Sequence, residues 1–453
     1  MHHPAQSGAH TVINRFCIYK HPMRISGGSD MTAFMVFADE HGNVYDHPEL
    51  QLIARSGNEL FTPDDDELIA IPKHTQLFMM RDRMPIGWNE RKRRIEVVDE
   101  VNGRECYAVA AFLPPGYLRT LLPAWHVRNS ARILPLWAYT AVGWHGDHFV
   151  VAAMKVDETE RWNPDNYDIE AIKPKIEVAL ERYPHNRLLH HLARCAIEYG
   201  CYNAMNVFYR RWECGIPVAP ACNANCIGCI SQQPLNTCPA SHERITFVPT
   251  VDEIAEIAIP HLMEAEQAIV SFGQGCEGEP LLHAELIAKA IQEMRCATTR
   301  GTIHMNTNAS MPHELRKLCE AGLDSIRVSI NSANPDAYHA YYRPQGYTFN
   351  DVVNAIRIAK ALGVFVSINL LIFPGVTDVE SEFNALAHFI ESTGADMIQL
   401  RNLNIDPDYF IAQMQIHNSP AMGLRAFIQH IKTAFPNIML GYFNKPREEF
   451  MAR

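Results

Sequence analysis

Ile216-Pro-Val-Ala-Pro-Ala-Cys222-Asn-Ala-Asn-Cys226-Ile-Gly-Cys229 is the stretch from which the rest of the chain can be read. Its short apolar run, ended by proline, predicts a strand over 216–220 that feeds a loop. The loop carries three thiols at the spacing C-x3-C-x2-C. Thiolates are soft ligands suited to zinc or to iron–sulfur centres, and so short a loop can wrap three of them around one cluster. A closed zinc site, or a cluster filled entirely by cysteines, asks for a fourth protein ligand. Three therefore predict a [4Fe–4S] cube with one iron left open.

Downstream the text alternates. Strand candidates fall at 268–272, 302–305, 325–330, 365–372 and 397–400, with helical stretches around 251–265, 281–295, 312–321, 349–362 and 378–392. With the strand before the cysteines these make six β/α units. Repeated right-handed crossovers curl such a sheet, so the expected fold class is α/β with a partial (β/α)6 TIM-like barrel. Functional groups in this architecture gather at the carboxyl ends of the strands. The second strand runs into Gly273-Gln-Gly-Cys-Glu-Gly-Glu-Pro280, where glycines admit close approach and Glu279 can accept from an ammonium group. The third ends in Asn306-Thr307-Asn308-Ala-Ser310, and the fourth gives Ser329 and Asn331 on alternate positions, hence on one face. The fifth meets Pro374-Gly375, the sixth yields Gln399 and Arg401, and Arg343 lies in Tyr342-Arg-Pro-Gln-Gly346.

The cysteine spacing and these strand ends resemble the radical S-adenosylmethionine (SAM) superfamily. Pro217-Val-Ala-Pro-Ala-Cys222-Asn is especially similar to the branch of nitrogenase-cofactor maturases, molybdopterin-precursor synthases and peptide-modifying maturases. The resemblance covers roughly the second half of the chain. It implies that Cys222, Cys226 and Cys229 hold a [4Fe–4S] cluster whose open iron is chelated by SAM. It implies further that Gly278, Glu279 and Pro280 hold the methionyl amino group, and that Thr307 and Asn308 line the same site. Ser329 and Asn331 would meet the ribose, Gly375 the adenine and Arg343 the carboxylate, with Gln399 and Arg401 completing the set. The chain departs from the family in having Gly228 where an aromatic residue is common, and in lacking any cysteine after Cys319.

The activity so implied is reductive cleavage of SAM to a 5′-deoxyadenosyl radical that abstracts hydrogen from a substrate, with an electron donor such as flavodoxin or ferredoxin. A peptide or protein is the first expectation for the substrate and a small molecule the second; no residue that acts on it is named. Two other readings stand beside this one. The triad could serve a non-catalytic iron–sulfur or zinc protein, or the enzyme could modify RNA.

At 453 residues the chain exceeds the usual single-domain limit. We expect a mobile N-terminal segment over 1–30, a β-rich domain over 31–158 that recognises substrate, a helical bridge over 159–212 and the barrel core over 213–445. The bridge reads as helices over about 174–182 and 185–211. Residues 81–94, rich in Arg and Lys around Trp88, read as a solvated loop, and the other tryptophans as core. A net charge of −11 makes nucleic acid an unlikely partner. No apolar run is long enough to span a bilayer and the start lacks the core of a signal peptide, so no membrane and a cytoplasmic location are expected. Twelve scattered cysteines are too few for a disulfide scaffold. Cys195, Cys201, Cys214, Cys238 and Cys276 read as buried or loop thiols, with an auxiliary cluster as the lesser alternative, and the histidines near Leu189 as surface residues.

Overall fold

Seven parallel strands, one more than expected, form the sheet that carries the cysteine loop. They run in chain order from Arg211–Gly215 through Glu266–Phe272, Thr302–Thr307, Ser325–Ile330, Phe365–Ile372 and Met397–Asn402 to Met439–Gly441. This computed structural model describes residues 23–24, 33–128, 131–416 and 419–450. Apart from 23–24, the expected N-terminal segment over 1–30 lies outside them.

The first strand precedes the apolar run instead of being it. Pro217 and Pro220 have no N–H to give a ladder. After Ile216 donates to the Ser271 carbonyl at 2.9 Å, the amides of Val218 and Ala219 turn to the Glu277 carboxylate at 2.8 and 2.9 Å. The seventh strand has only three residues, too few to show a period.

The predicted helices are present with small changes of boundary. Before the sheet come α1 (Ile169–Arg182), α2 (Arg187–Glu198) and α3 (Tyr202–Tyr209). The expected continuous helix over 185–211 breaks at Gly200, whose φ of +58° leaves the right-handed helical region. Between the strands lie α4 (Val251–Glu264), α5 (Ala284–Ala297), α6 (Pro312–Ala321), α7 (Pro335–Tyr342), α8 (Phe349–Ala361) and α9 (Glu380–Thr393).

Alternation along the strands sorts their two faces. Ile326, Val328 and Ile330 are fully buried among apolar neighbours, whereas Arg327 and Ser329 join a polar network on the other face. Arg327 Nη1 donates to Gln399 Oε1 at 3.3 Å, Gln399 Nε2 to Asn444 Oδ1 at 2.9 Å, and Asn444 Nδ2 to Glu213 Oε1 at 2.8 Å. His304 bonds Ser325 Oγ at 2.7 Å and Asn306 Oδ1 at 3.1 Å. The inner face is thus polar from strand to strand.

The chain divides into two units. One comprises Met1–Val156, Ile372–Phe383 and Asn402–Thr433; the other comprises Asp157–Leu371, Asn384–Arg401 and Ala434–Arg453. The first is mainly antiparallel β, with the helix Pro407–Met414. Its hairpins pair Ala38 with Val44 and His145 with His148. Val142–His145 is the first strand of the second hairpin, paired with His148–Lys155.

Residues 81–94 are a solvated loop only in part: Arg81 and residues 90–93 are exposed turn, but the stretch between them is not. Arg83–Asn89 is a buried strand between Val44–Leu52 and Trp125–Val127. Arg83 forms a buried ion pair with Asp406 at 3.0 Å, and Lys92 and Arg94 both meet Glu96 at 3.0 Å. Arg119, wholly buried, donates to the carbonyls of Leu403 at 2.7 Å and Tyr139 at 3.3 Å.

Candidate functional site

Three segments far apart in sequence converge on the cysteine loop, two of them through main-chain bonds. The Gly278 amide donates to the Ala219 carbonyl at 2.7 Å, and that of Glu279 to the Ala221 carbonyl at 2.9 Å. A β-carbon on Gly278 would stand 1.9 Å from the Ala221 oxygen, so only glycine fits that position. From the end of α7, Tyr342 and Tyr341 accept from the amides of Asn225 at 2.9 Å and Ile227 at 3.1 Å. Gln345 donates to the Asn223 carbonyl at 2.8 Å. The third strand end closes the ring: Asn308 Nδ2 donates to Asn223 Oδ1, and Asn223 Nδ2 to Ser310 Oγ, both at 2.8 Å.

Cys222, Cys226 and Cys229 are half-buried free thiols. Burial pushes Cys222 up to about 11, helped by the charge of Glu279, and holds Cys226 well above the ordinary thiol value, where the neighbouring thiolates add to the rise. Three thiolates can share this loop only with a cation between them, which is the donor set a cluster requires. Arg244 supplies part of that compensation. Its Nη2 donates to Cys229 Sγ at 3.5 Å and its Nε to Ser231 Oγ at 3.1 Å.

Glu279 is fully engaged from below. Its carboxylate accepts from Thr307 Oγ1 at 2.5 Å, from the Asn308 amide at 2.8 Å and from the Leu281 amide at 3.1 Å. Burial nevertheless pushes it up to about 7, and does the same to Glu277. Glu277 accepts from the amides of Val218, Ala219 and Gln274, so one carboxylate fastens both lips of the site. Pro280 is buried and begins the 3-10 turn Pro280–His283 that Glu279 caps.

Asn369 Nδ2 donates to Ser329 Oγ at 2.9 Å, and Asn331 Nδ2 to the Ala337 carbonyl at 3.2 Å. The Oδ1 atoms of Asn331 and Asn369 are buried and unpartnered. Two orphaned acceptors at adjacent strand ends fit the hydroxyls of a sugar.

The remaining sequence candidates are dispersed. Gln399 is wholly buried, its amide committed to the network with Arg327, Ser367 and Asn444. Arg401 bonds the Tyr442 carbonyl at 3.0 Å and lies over its ring. Arg343 is exposed, with a φ of +49° at the end of α7. Gly375 belongs to the other unit, where the backbone it approaches closely is that of Ser56 and Gly57.

Sequence reading missed Asn223, Glu277 and Arg244. Asn223 and Glu277 sit inside the two motifs and are polar residues a buried loop would need. Arg244 carries no sequence signal.

The signature of the Radical SAM superfamily matches residues 216–390. The chain is 25% identical over 198 residues to GTP 3',8-cyclase of Listeria welshimeri serovar 6b, covering 42% of this chain and 53% of the relative. It is 23% identical over 215 residues to the FeMo cofactor biosynthesis protein NifB of Klebsiella pneumoniae, covering 43% and 44%. The chain therefore spans about half the length of the curated relatives it matches. The crystal structure of methylornithine synthase (PylB) aligns with a TM-score of 0.36 at 14% identity, over 60% of this chain and 75% of that one.

Proposed function

We propose, from the match of residues 216–390 to the Radical SAM superfamily, that the chain is an enzyme of radical chemistry built on its cysteine loop. Cys222, Cys226 and Cys229 would hold a [4Fe–4S] cluster, and Glu279 with Ser329 and Asn331 would orient SAM. When bound, this pair supplies one-electron cleavage of SAM and a 5′-deoxyadenosyl radical that takes hydrogen from a substrate.

The chain's own residues do the positioning. Arg244 offsets the negative charge gathered at the sulfurs. Glu277 and Glu279 hold the Gly-Glu-Pro turn against the loop, and the free acceptors of Asn331 and Asn369 take ribose hydroxyls. The observation that carries this reading is the pairing of Gly278 and Glu279 with Ala219 and Ala221, which brings a buried carboxylate beside the thiols. A structural zinc or electron-transfer site has no use for that carboxylate or for the orphaned asparagine oxygens.

We assign a peptide or protein substrate on the branch resemblance. The small-molecule reading has the names of the relatives in its favour, since they concern GTP and FeMo cofactor. The electron donor is proposed to be a flavodoxin or ferredoxin. Among the described residues no helix is long and apolar enough to cross a membrane.

The test is anaerobic. Protein reconstituted with iron and sulfide, then given dithionite and SAM, should release 5′-deoxyadenosine. Cys226→Ala should lose both iron and product; full iron retention by this variant would overturn the ligand assignment.

A further inference from the structure

Helix α2 presents His191 and Cys195 one turn apart, on the same face. Opposite them stands Cys276, in the loop that also carries Glu279. One ligand atom from each of the three lies within 4.8 Å of the others. Cys195 Sγ and His191 Nε2 are 3.6 Å apart. With Zn–S of about 2.3 Å and Zn–N of about 2.0 Å, the edge of a tetrahedral zinc site is roughly 3.5 Å. Both sulfurs are buried, at 2% and 7% exposure. His191, read from the sequence as a surface residue, is half-buried with its ring edge-on to Phe247.

His242 lies outside that group of three but bears on it. His242 is fixed by its amide, which donates to the Ile230 carbonyl at 3.0 Å, and by its ring against Tyr199. Its Nδ1 is buried and has no hydrogen-bond partner. Its charge bears on Cys195, so the two side chains are neighbours. Two buried thiols and an imidazole within 4.8 Å of one another are costly as an apolar packing arrangement. They are what a metal site looks like from its ligands.

We propose that His191, Cys195 and Cys276 bind one thiophilic divalent ion of the zinc class, separate from the cysteine loop and sharing no residue with it. The ion fastens the 273–280 loop to α2. The Cys276 carbonyl already accepts from the Ile245 amide at 2.8 Å, which ties the same loop to the segment after the cysteines, and the ion adds a side-chain tie to α2. Binding requires both thiols to lose their protons.

The experiment is metal analysis of the full chain with its iron cluster loaded, so that the loop cysteines are occupied. One zinc per chain is expected beside the iron. Cys195→Ser and Cys276→Ser, made separately, should each lose the zinc and keep the iron, while Cys226→Ser should lose the iron and keep the zinc. Cobalt(II) added alone to zinc-stripped, cluster-loaded wild type should give a thiolate-to-cobalt charge-transfer band and the strong visible bands of a tetrahedral ion. That spectrum stands whether or not a variant folds. Absence of both zinc and the cobalt spectrum in wild type, or zinc retained at one per chain in either serine variant, would overturn the site.

Discussion

The guanidinium of Arg244 reaches the sulfur of Cys229 across 3.5 Å, fifteen residues along the chain. It is a positive charge held at the rim of a three-thiol loop. Hydrogen bonds to sulfur and local net charge set cluster potentials. Arg244→Gln should therefore leave iron binding largely intact and lower the cluster potential by on the order of tens of millivolts. Arg244→Lys should recover part of the shift. Redox titration followed by electron paramagnetic resonance reads the change, and an unaltered potential in the glutamine variant would remove the role given to this residue.

Gly278→Ala sets a β-carbon 1.9 Å from the Ala221 oxygen, and a carbonyl in a paired segment cannot withdraw. The pairing must open, at a cost of about 3 kcal/mol, the upper end for overpacking. The variant should lose SAM affinity by more than it loses iron. Gly275→Ala is the control, because the atom it meets is the flexible end of Ile230. Equilibrium SAM binding to both variants decides the matter.

Glu277 and Glu279 give the apoprotein a pH signature. Burial raises each from 4.5 to about 7, so the folded state holds protons that the unfolded state has released. Their contribution is complete below about pH 4.5 and is lost as pH rises through about 7. Urea midpoints of the metal-free protein should fall across that interval. Glu277→Gln should flatten the fall while lowering stability overall by about 1–3 kcal/mol, since an amide nitrogen then faces backbone donors. A slope the same as wild type in this variant would show that other groups govern the trend.

Asp406 is buried against Arg83 and also caps its own helix, Pro407–Met414, through the amides of Asp408 and Tyr409. Asp406→Ala leaves a buried guanidinium without its carboxylate and should cost about 3–5 kcal/mol by chemical denaturation. The double variant Arg83→Met/Asp406→Leu should recover most of that loss. If the double variant is no more stable than the single, the cap rather than the ion pair accounts for the effect.

Much of the barrel was legible because its signals are local. Strands such as Ser325–Ile330 and helices such as Pro312–Ala321 announce themselves within their own length, through alternation, proline entry and glycine exit. The Arg211–Gly215 strand was displaced by a few residues because the apolar run after it has the composition of a strand and lacks the amides for one. Arg83–Asn89 was hidden for the converse reason: its charges suggested water, and the carboxylate that buries Arg83 lies 323 residues away.

The sequence by itself determined the triad of cysteines, the Gly-Glu-Pro turn and the succession of parallel strands, since each depends on neighbours within a dozen residues. Only the tertiary structure decided that Glu279 rests on Thr307 and Asn308, that Arg244 meets Cys229, and that His191, Cys195 and Cys276 share one place. Such meetings follow from how sheets curl and helices pack, and side chains brought together across long loops leave no period in the sequence.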